Sequence, residues 1–194
     1  QVEKDHKESP LGHEAKLRRS KVSYYQGDFE WAQSQLDILK SSTSKLISND
    51  ALHLSLLITD NLNLDTSAVP MEMYARADLL YFQNRFEESI VVLDSIIDIY
   101  SGHTLMDEIY FRKHEIYYKM NNLDKSIEML ETIVSDYAFD ILEDDALFYL
   151  AKIYENDKKD VEKAFYYYET LLMQCSGSIY TSESRKKYRE IRGN

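Results

Sequence analysis

The feature of this sequence that most constrains its fold is a short outline that occurs three times. The copies run from Ser23 to Leu36 (SYYQGDFEWAQSQL), from Leu80 to Leu93 (LYFQNRFEESIVVL) and from Tyr117 to Leu130 (YYKMNNLDKSIEML). In each copy, aromatic residues precede a polar corner, and a hydrophobic residue, a small residue and a leucine follow at fixed offsets. Such repetition predicts a row of small structural units, each of which buries its apolar face against a neighbour.

The polar corners indicate that each unit is a hairpin of two helices. Gly27, Asn84 and Asn121 stand at the corners, and Gly and Asn accept the left-handed conformation that ends many helices. A small residue follows each corner and allows two antiparallel helices to approach closely. These small residues are Ala32, Ser89 and Ser126. The pattern therefore predicts repeated helix-turn-helix hairpins.

A fourth copy of the outline lies near the end of the chain. A helix from Asp145 to Glu155 leads to a second helix over Val161–Leu172, in which Ala164 takes the small position and Tyr168 the position of the leucine. The corner between these helices is one residue longer than in the other copies. Leu80, Tyr117 and Tyr154 recur every 37 residues, which supports a common unit.

The helical periodicity predicts the following organisation of the chain. Residues 1–12 form a disordered lead-in, and residues 13–194 form a single solenoid domain with hairpins at about 13–41, 70–100, 104–137 and 141–175, an extra helix at 48–62 and a polar C-terminal capping helix at 179–192. The extra helix interrupts the alternation, so it leaves the orientation of the first hairpin open.

Composition narrows the class of protein and of partner. The 194 residues include only 5 Gly and 2 Pro, and 44% are hydrophobic, which is typical of an all-helical protein. The formal charge of -11 argues against binding to nucleic acid or to anionic membrane surfaces. It tolerates a basic or neutral polypeptide partner. No apolar run reaches the roughly 20 residues of a membrane span, so no direct membrane insertion is expected.

Catalytic and metal-binding signatures are missing from the sequence. The five histidines form no zinc-type spacing, and Cys175 has no histidine close in sequence to activate it. The acidic residues from Asp140 to Asp145 lack the alternating ligands of a calcium loop and fit the first turn of a helix. We therefore expect no enzyme activity, no cofactor and no metal.

The repeated outline resembles the tetratricopeptide repeat over roughly residues 13–192. The residues that carry the resemblance are small ones in the first helix (Ala77, Ala151), bulky ones at its end (Leu80, Tyr117, Tyr154), the hydrophobic residues after the corners (Phe29, Phe86, Leu123) and the small ones that follow (Ala32, Ser89, Ser126, Ala164). The sequence departs from the family by lacking the proline that often ends a unit, by placing His114 at a small position and by having Ser23 where a bulky residue is usual.

The resemblance implies a right-handed superhelical solenoid of about ten antiparallel helices that binds a protein or peptide on its concave face. In the family that face is built mainly from the first helix of each hairpin. Carried over to this chain, it comprises Tyr24, Tyr25, Tyr74, Asp78, Tyr81, Phe82, Phe111, Glu115, Tyr118, Lys119, Phe148 and Lys152. Aromatic rings flanked by carboxylates suit a partner segment that carries basic groups.

The long units and the ending SGSIYTSESRKKYREIRG are similar to bacterial envelope repeat proteins and to repeat regions of large Bacteroidetes proteins. This similarity favours the periplasm or cell envelope over the cytoplasm. It also leaves a second hypothesis open: a structural or oligomerisation module, with a homodimer formed through the extra helix or the terminal helix. Within such a module, the contact would use exposed helix faces instead of the concave surface.

Overall fold

The computed structural model describes residues 9–41, 45–62, 67–138 and 140–193. These residues form ten α-helices and no strand, which confirms the predicted all-α class. The helices are α1 (Pro10–Tyr25), α2 (Phe29–Leu39), α3 (Lys45–Leu62), α4 (Val69–Phe82), α5 (Phe86–Ile99), α6 (Met106–Lys119), α7 (Leu123–Asp136), α8 (Glu143–Ile153), α9 (Val161–Gln174) and α10 (Thr181–Arg192). A π-helical turn, Tyr154–Lys158, follows α8 directly.

The chain divides into two compact units, unit 1 over Gln1–Leu105 and unit 2 over Met106–Asn194. Unit 1 holds α1 to α5 and unit 2 holds α6 to α10. Within each unit, helices adjacent in sequence pack as pairs: α1 on α2, α4 on α5, α6 on α7 and α8 on α9. The expectation of one solenoid domain over residues 13–194 stays a prediction.

Helix α1 begins earlier than the sequence predicted. Ser9 caps it by accepting a hydrogen bond from the backbone N–H of Gly12 at 3.3 Å, and Pro10 occupies the first turn, where its fixed φ suits a helix. Residues 10–12 are therefore helical, which corrects the disordered lead-in for these three positions; residues 1–8 lie outside the described residues. Helix α3 likewise starts at Lys45 instead of 48.

The small residues of the outline lie at the centre of the hairpins, as predicted. Ala32, Ser89, Ser126 and Ala164 all have 0% of their surface exposed. The Ser89 hydroxyl donates to the carbonyl oxygen of Ala77 at 2.8 Å, which ties α5 to α4. In the next hairpin, Ser126 Oγ and His114 Nδ1 lie 2.8 Å apart. This hydrogen bond gives the buried Nδ1 of His114 a partner. The family usually has a small residue at this position.

Three hairpin corners share one backbone geometry. Gly27, Asn84 and Asn121 have φ angles of 79°, 59° and 57°, and in each corner the next residue donates its N–H to a carbonyl five residues earlier. This is the Schellman motif, which satisfies the last carbonyls of the first helix. The prediction of left-handed corners at Gly27, Asn84 and Asn121 is therefore confirmed.

The fourth corner accommodates its extra residue as a π-helical turn. Here the N–H of Asp160 bonds to the carbonyl of Tyr154, six residues earlier, at 2.9 Å. Lys159 takes the left-handed position with a φ of 55°. In this conformation the Cβ of a lysine comes too close to the following carbonyl oxygen. Glycine has no Cβ and avoids this steric cost.

We expect Lys159→Gly to stabilise the protein by about 1 kcal/mol, because it removes the steric cost of the left-handed conformation. Urea unfolding followed by circular dichroism measures the change. The matched control is Asn121→Gly, which should change stability less because Asn already tolerates this conformation. A Lys159→Gly variant that is less stable than the natural chain would show that the corner stores no strain.

The extra helix α3 packs against α2 and also contacts α1 and α4. Gln33 Nε2 on α2 donates to Ser55 Oγ at 2.6 Å and to Thr59 Oγ1 at 3.2 Å on α3. The buried stripe of α3 comprises Ile47, Ala51, Leu54 and Ile58. Helices α1 and α4 still contact each other directly, so the first helices of the two hairpins in unit 1 remain neighbours despite the insertion.

Candidate partner-binding surfaces

In unit 1, part of the predicted binding face holds α1 and α4 together. Tyr24 is buried and its hydroxyl donates to Asp78 Oδ2 on α4 at 3.0 Å; Asp78 and Tyr74 are buried as well. The rings of Tyr24 and Phe29 are 5.9 Å apart. Helix packing therefore covers Tyr24, Tyr74 and Asp78, and their predicted contact with a partner stays a prediction.

Phe82, with its neighbour Tyr25, forms an accessible aromatic pair in unit 1. Phe82 is the last residue of α4 and is 72% exposed. Tyr25, the last residue of α1, is half-buried, with its ring centroid 6.4 Å from that of Phe82. Tyr81 turns toward its own hairpin and lies 6.0 Å from Phe86, so it is half-buried. Tyr25 and Phe82 thus form an aromatic pair in which Phe82 is exposed.

In unit 2, four aromatic rings from α6 and α8 form a continuous cluster. Phe111 is 5.5 Å from His114 and 5.7 Å from Tyr149, and His114 is 5.5 Å from Tyr149 and 6.2 Å from Tyr118. Tyr118 is 44% exposed and Tyr149 39%. We call Phe111, Tyr118 and Tyr149 the aromatic surface of unit 2. Two of its three members were predicted from the sequence.

Tyr149 was missed, because the family spacing pointed to the preceding residue. Phe148 is buried and stacks on Tyr180, which lies just before α10, with ring centroids 4.2 Å apart and nearly parallel planes. Its predicted contact with a partner stays a prediction. One residue along a helix turns the side chain by about 100°, which moves Tyr149 to the open side. The adjacent Phe148-Tyr149 pair was the available signal.

Carboxylates surround the aromatic surface of unit 2. Asp145 Oδ1 accepts a hydrogen bond from the Tyr180 hydroxyl at 2.5 Å, and Glu115 pairs with Arg112 on the same helix. Burial, followed by the charges of Asp145 and Glu115, raises the pKa of Tyr149. Burial and then Asp157, which accepts from the Tyr118 hydroxyl at 3.2 Å, raise the pKa of Tyr118. Burial is thus the main cause of both shifts, and the neighbouring carboxylates add to it.

The two predicted lysines differ in their surroundings. Lys152 Nζ lies 3.1 Å from Glu183 Oε1 on α10 and 5.7 Å from the centroid of the Phe148 ring, so it joins α8 to α10. Lys119 ends α6 and is exposed.

His114 lies beneath the aromatic surface and is held neutral by its surroundings. Burial lowers the pKa of the imidazole to about 4, and the hydrogen bond with Ser126 opposes this shift only in part. The ring is thus uncharged near neutral pH and packs as a polar core residue. It supports Phe111 and Tyr149 from below.

The thiol of Cys175 offers no reactive group. It is half-buried, and burial, followed by the charges of Glu143 and Asp144, raises its pKa to about 11. The thiolate, which is the nucleophilic form, is therefore scarce at neutral pH.

No group of three or more His, Cys, Asp or Glu side chains within residues 9–41, 45–62, 67–138 and 140–193 is arranged to hold a metal ion. In the same ranges, no helix has the length and apolar character needed to cross a bilayer.

Comparison with known families identifies the last hairpin. Residues 145–173 match the tetratricopeptide repeat family, and they correspond to α8, the π-helical turn and nearly all of α9. None of the curated proteins matches the chain. The matched segment is a tetratricopeptide repeat, and the helices pack in sequence-adjacent pairs as this class of helical-repeat proteins does. Repeats of this class commonly serve as protein–protein interaction scaffolds.

Proposed function

We propose that this chain is a non-catalytic scaffold that binds a polypeptide segment through the first helices of its hairpins. The observation that carries the proposal is the aromatic surface of unit 2, where Tyr118 and Tyr149 are 44% and 39% exposed beside Phe111. Exposed tyrosines offer a large contact area at low entropic cost and are frequent energetic centres of interfaces. In unit 1 the pair Tyr25–Phe82 offers a second, smaller surface of the same kind.

The partner segment should carry Lys or Arg beside apolar residues. Asp145, Glu115 and Asp157 border the aromatic surface, and the whole chain has a formal charge of -11. A positively charged segment would be steered toward this surface, and its cations could lie against the phenol rings. Binding should therefore weaken as the salt concentration rises.

The test is a peptide-display selection against the full chain, followed by fluorescence anisotropy with the best peptides. Tyr118→Ala in unit 2 and Phe82→Ala in unit 1 probe the two surfaces. Loss of an aromatic centre of an interface costs about 2 kcal/mol or more, so at least one variant should bind about 30-fold more weakly. Selected peptides should also be enriched in Lys and Arg.

The matched control is Tyr166→Ala, which removes an exposed tyrosine from α9, the second helix of its hairpin. It should bind the peptides as the natural chain does. Circular dichroism must show unchanged helical content in all three variants. If Tyr118→Ala and Phe82→Ala both bind with natural affinity, or if Tyr166→Ala weakens binding equally, the first helices are not the binding face.

A second candidate function is a structural module of a larger bacterial envelope assembly that forms a homodimer through α3. Leu52 and Leu56, one turn apart on α3, are both exposed, and so is Leu46. Two copies of this face could bury each other's leucines. Size-exclusion chromatography with light scattering distinguishes the candidates: a dimer that Leu52→Glu with Leu56→Glu converts to a monomer favours this module, whereas a natural monomer favours the peptide scaffold.

A further inference from the structure

The last helix, α10, is fixed to unit 2 by one face. Tyr180, just before the helix, stacks on Phe148, and Tyr188 stacks on Phe165 with centroids 4.6 Å apart. Ser184 is fully buried, and Lys187 Nζ lies 2.7 Å from Glu155 Oε1. Burial raises the pKa of Glu155, but hydrogen bonds from Lys187 and Tyr168 outweigh it and lower the pKa overall. These contacts attach one face of α10 to the rest of unit 2. The side chains on its other face are not needed for this packing.

The outer face of α10 is basic in an acidic protein. An open depression of about 390 Å³ is lined by Ser182, Arg185, Lys186, Arg189 and Glu190. Arg185 and Arg189 are exposed and one turn apart, so their like charges repel. Within the described ranges, neither guanidinium forms an ion pair, although the chain has 34 acidic residues.

The same depression contains one carboxylate, which narrows the class of ligand. Glu190 Oε1 lies 3.9 Å from Lys186 Nζ, and Glu190 Oε2 lies 3.8 Å from Lys187 Nζ, so neighbouring lysines offset its charge. A lining that carries both positive and negative charges suits a polypeptide, because a polypeptide can present carboxylates together with a hydrogen-bond donor. It is less suited to a polyanion such as DNA or to an anionic lipid surface.

We propose that the outer face of α10 binds an acidic polypeptide segment, with Arg185 and Arg189 as the anion-binding residues. The guanidinium fork matches a carboxylate in geometry and can donate two parallel hydrogen bonds to it. The two arginines stand four residues apart, about 6 Å along the helix axis, which matches carboxylates one turn apart on a facing helix. This surface is separate from the aromatic surface and takes a partner of the opposite charge.

The experiment uses the full chain and a fluorescein-labelled peptide of Glu, Asp and Ala that has the same length as α10. Anisotropy titrations at about 50 mM salt should show saturable binding that weakens toward about 300 mM. Arg185→Glu with Arg189→Glu should weaken binding at least about tenfold, since two charge-assisted contacts are lost. Arg185→Lys with Arg189→Lys should lie between, because charge is kept but the fork is lost.

The matched control is Arg18→Glu with Lys45→Glu, which makes the same change of net charge at exposed positions of unit 1. It should bind the acidic peptide within about twofold of the natural chain, as should Tyr118→Ala, since neither change touches α10. Equal losses in the α10 variant and the charge control would overturn the proposal, and so would an absence of binding. Stronger binding of a short DNA duplex or of phosphatidylserine vesicles than of the peptide would also overturn it.

Discussion

Leu130→Ala is expected to lower the free energy of unfolding by about 2–5 kcal/mol. Leu130 has no exposed surface and lies in the core of unit 2 with Ile133, Leu147 and Leu150. Truncation removes the transfer free energy of the lost methyl groups and leaves a cavity that the surrounding helices fill only in part. Urea unfolding followed by far-ultraviolet circular dichroism measures the change.

The control for this prediction is Leu11→Ala, which makes the same chemical change at an exposed position of α1. It should alter stability by about 0.5 kcal/mol or less, because little apolar surface is buried there. A cost for Leu130→Ala no larger than that for Leu11→Ala would mean that the leucine after each small residue does not form the seam of the hairpin. The idea of a repeated, shared core would then fail.

Acidification is expected to destabilise the protein through His114. The pKa of this imidazole is about 4 in the folded chain, against an unfolded value of 6.5. Above pH 6.5 both states are neutral at this site, and the full stability is present. As the pH falls from 6.5 to 4, the unfolded chain binds a proton that the folded chain does not. Stability is then lost at about 1.4 kcal/mol per pH unit, roughly 3 kcal/mol over the window.

His114→Gln isolates this effect from the carboxylates that titrate in the same range. Glutamine does not titrate and can still bond to Ser126. Between pH 7 and 4.5, the natural chain should lose more unfolding free energy than the variant by about 2–3 kcal/mol. Parallel losses in the two proteins would show that His114 is protonated in the folded state, and that it is not the buried neutral residue that supports Phe111 and Tyr149.

Leu130 and His114 each occupy a repeated position of the hairpin, Leu130 on its second helix and His114 on its first. The sequence predicted this part of the fold well. The left-handed residues Gly27, Asn84 and Asn121 were predicted from the sequence and are confirmed. The four small residues are buried as expected. These features depend on contacts within about 15 residues, where backbone sterics and close helix approach leave few alternatives. In the fourth corner, the sequence indicated one extra residue but not the π-helical turn that accommodates it.

The sequence did not show which residues of the predicted binding face are exposed. Tyr24, Tyr74, Asp78 and Phe148 are buried, whereas Phe82, Phe111 and Tyr118 lie at or near the surface, and Tyr149 was not predicted. Every one of these residues lies on the first helix of a hairpin. Whether its side chain is buried or exposed depends on which helix lies opposite. Tyr24 meets Asp78 from α4, and Phe148 meets Tyr180 at α10, contacts with no local sequence signature.

The sequence by itself determined the helical class, the hairpin corners, the small residues at the crossings and the acidic net charge. Each is set by local backbone geometry, side-chain volume or total charge, which are properties of the chain before it folds. Only the tertiary structure decided which aromatic rings remain exposed and which face of α10 leaves Arg185 and Arg189 exposed. Those outcomes depend on contacts between helices distant in the chain, and burial of a side chain is a property of its neighbours as much as of the residue itself.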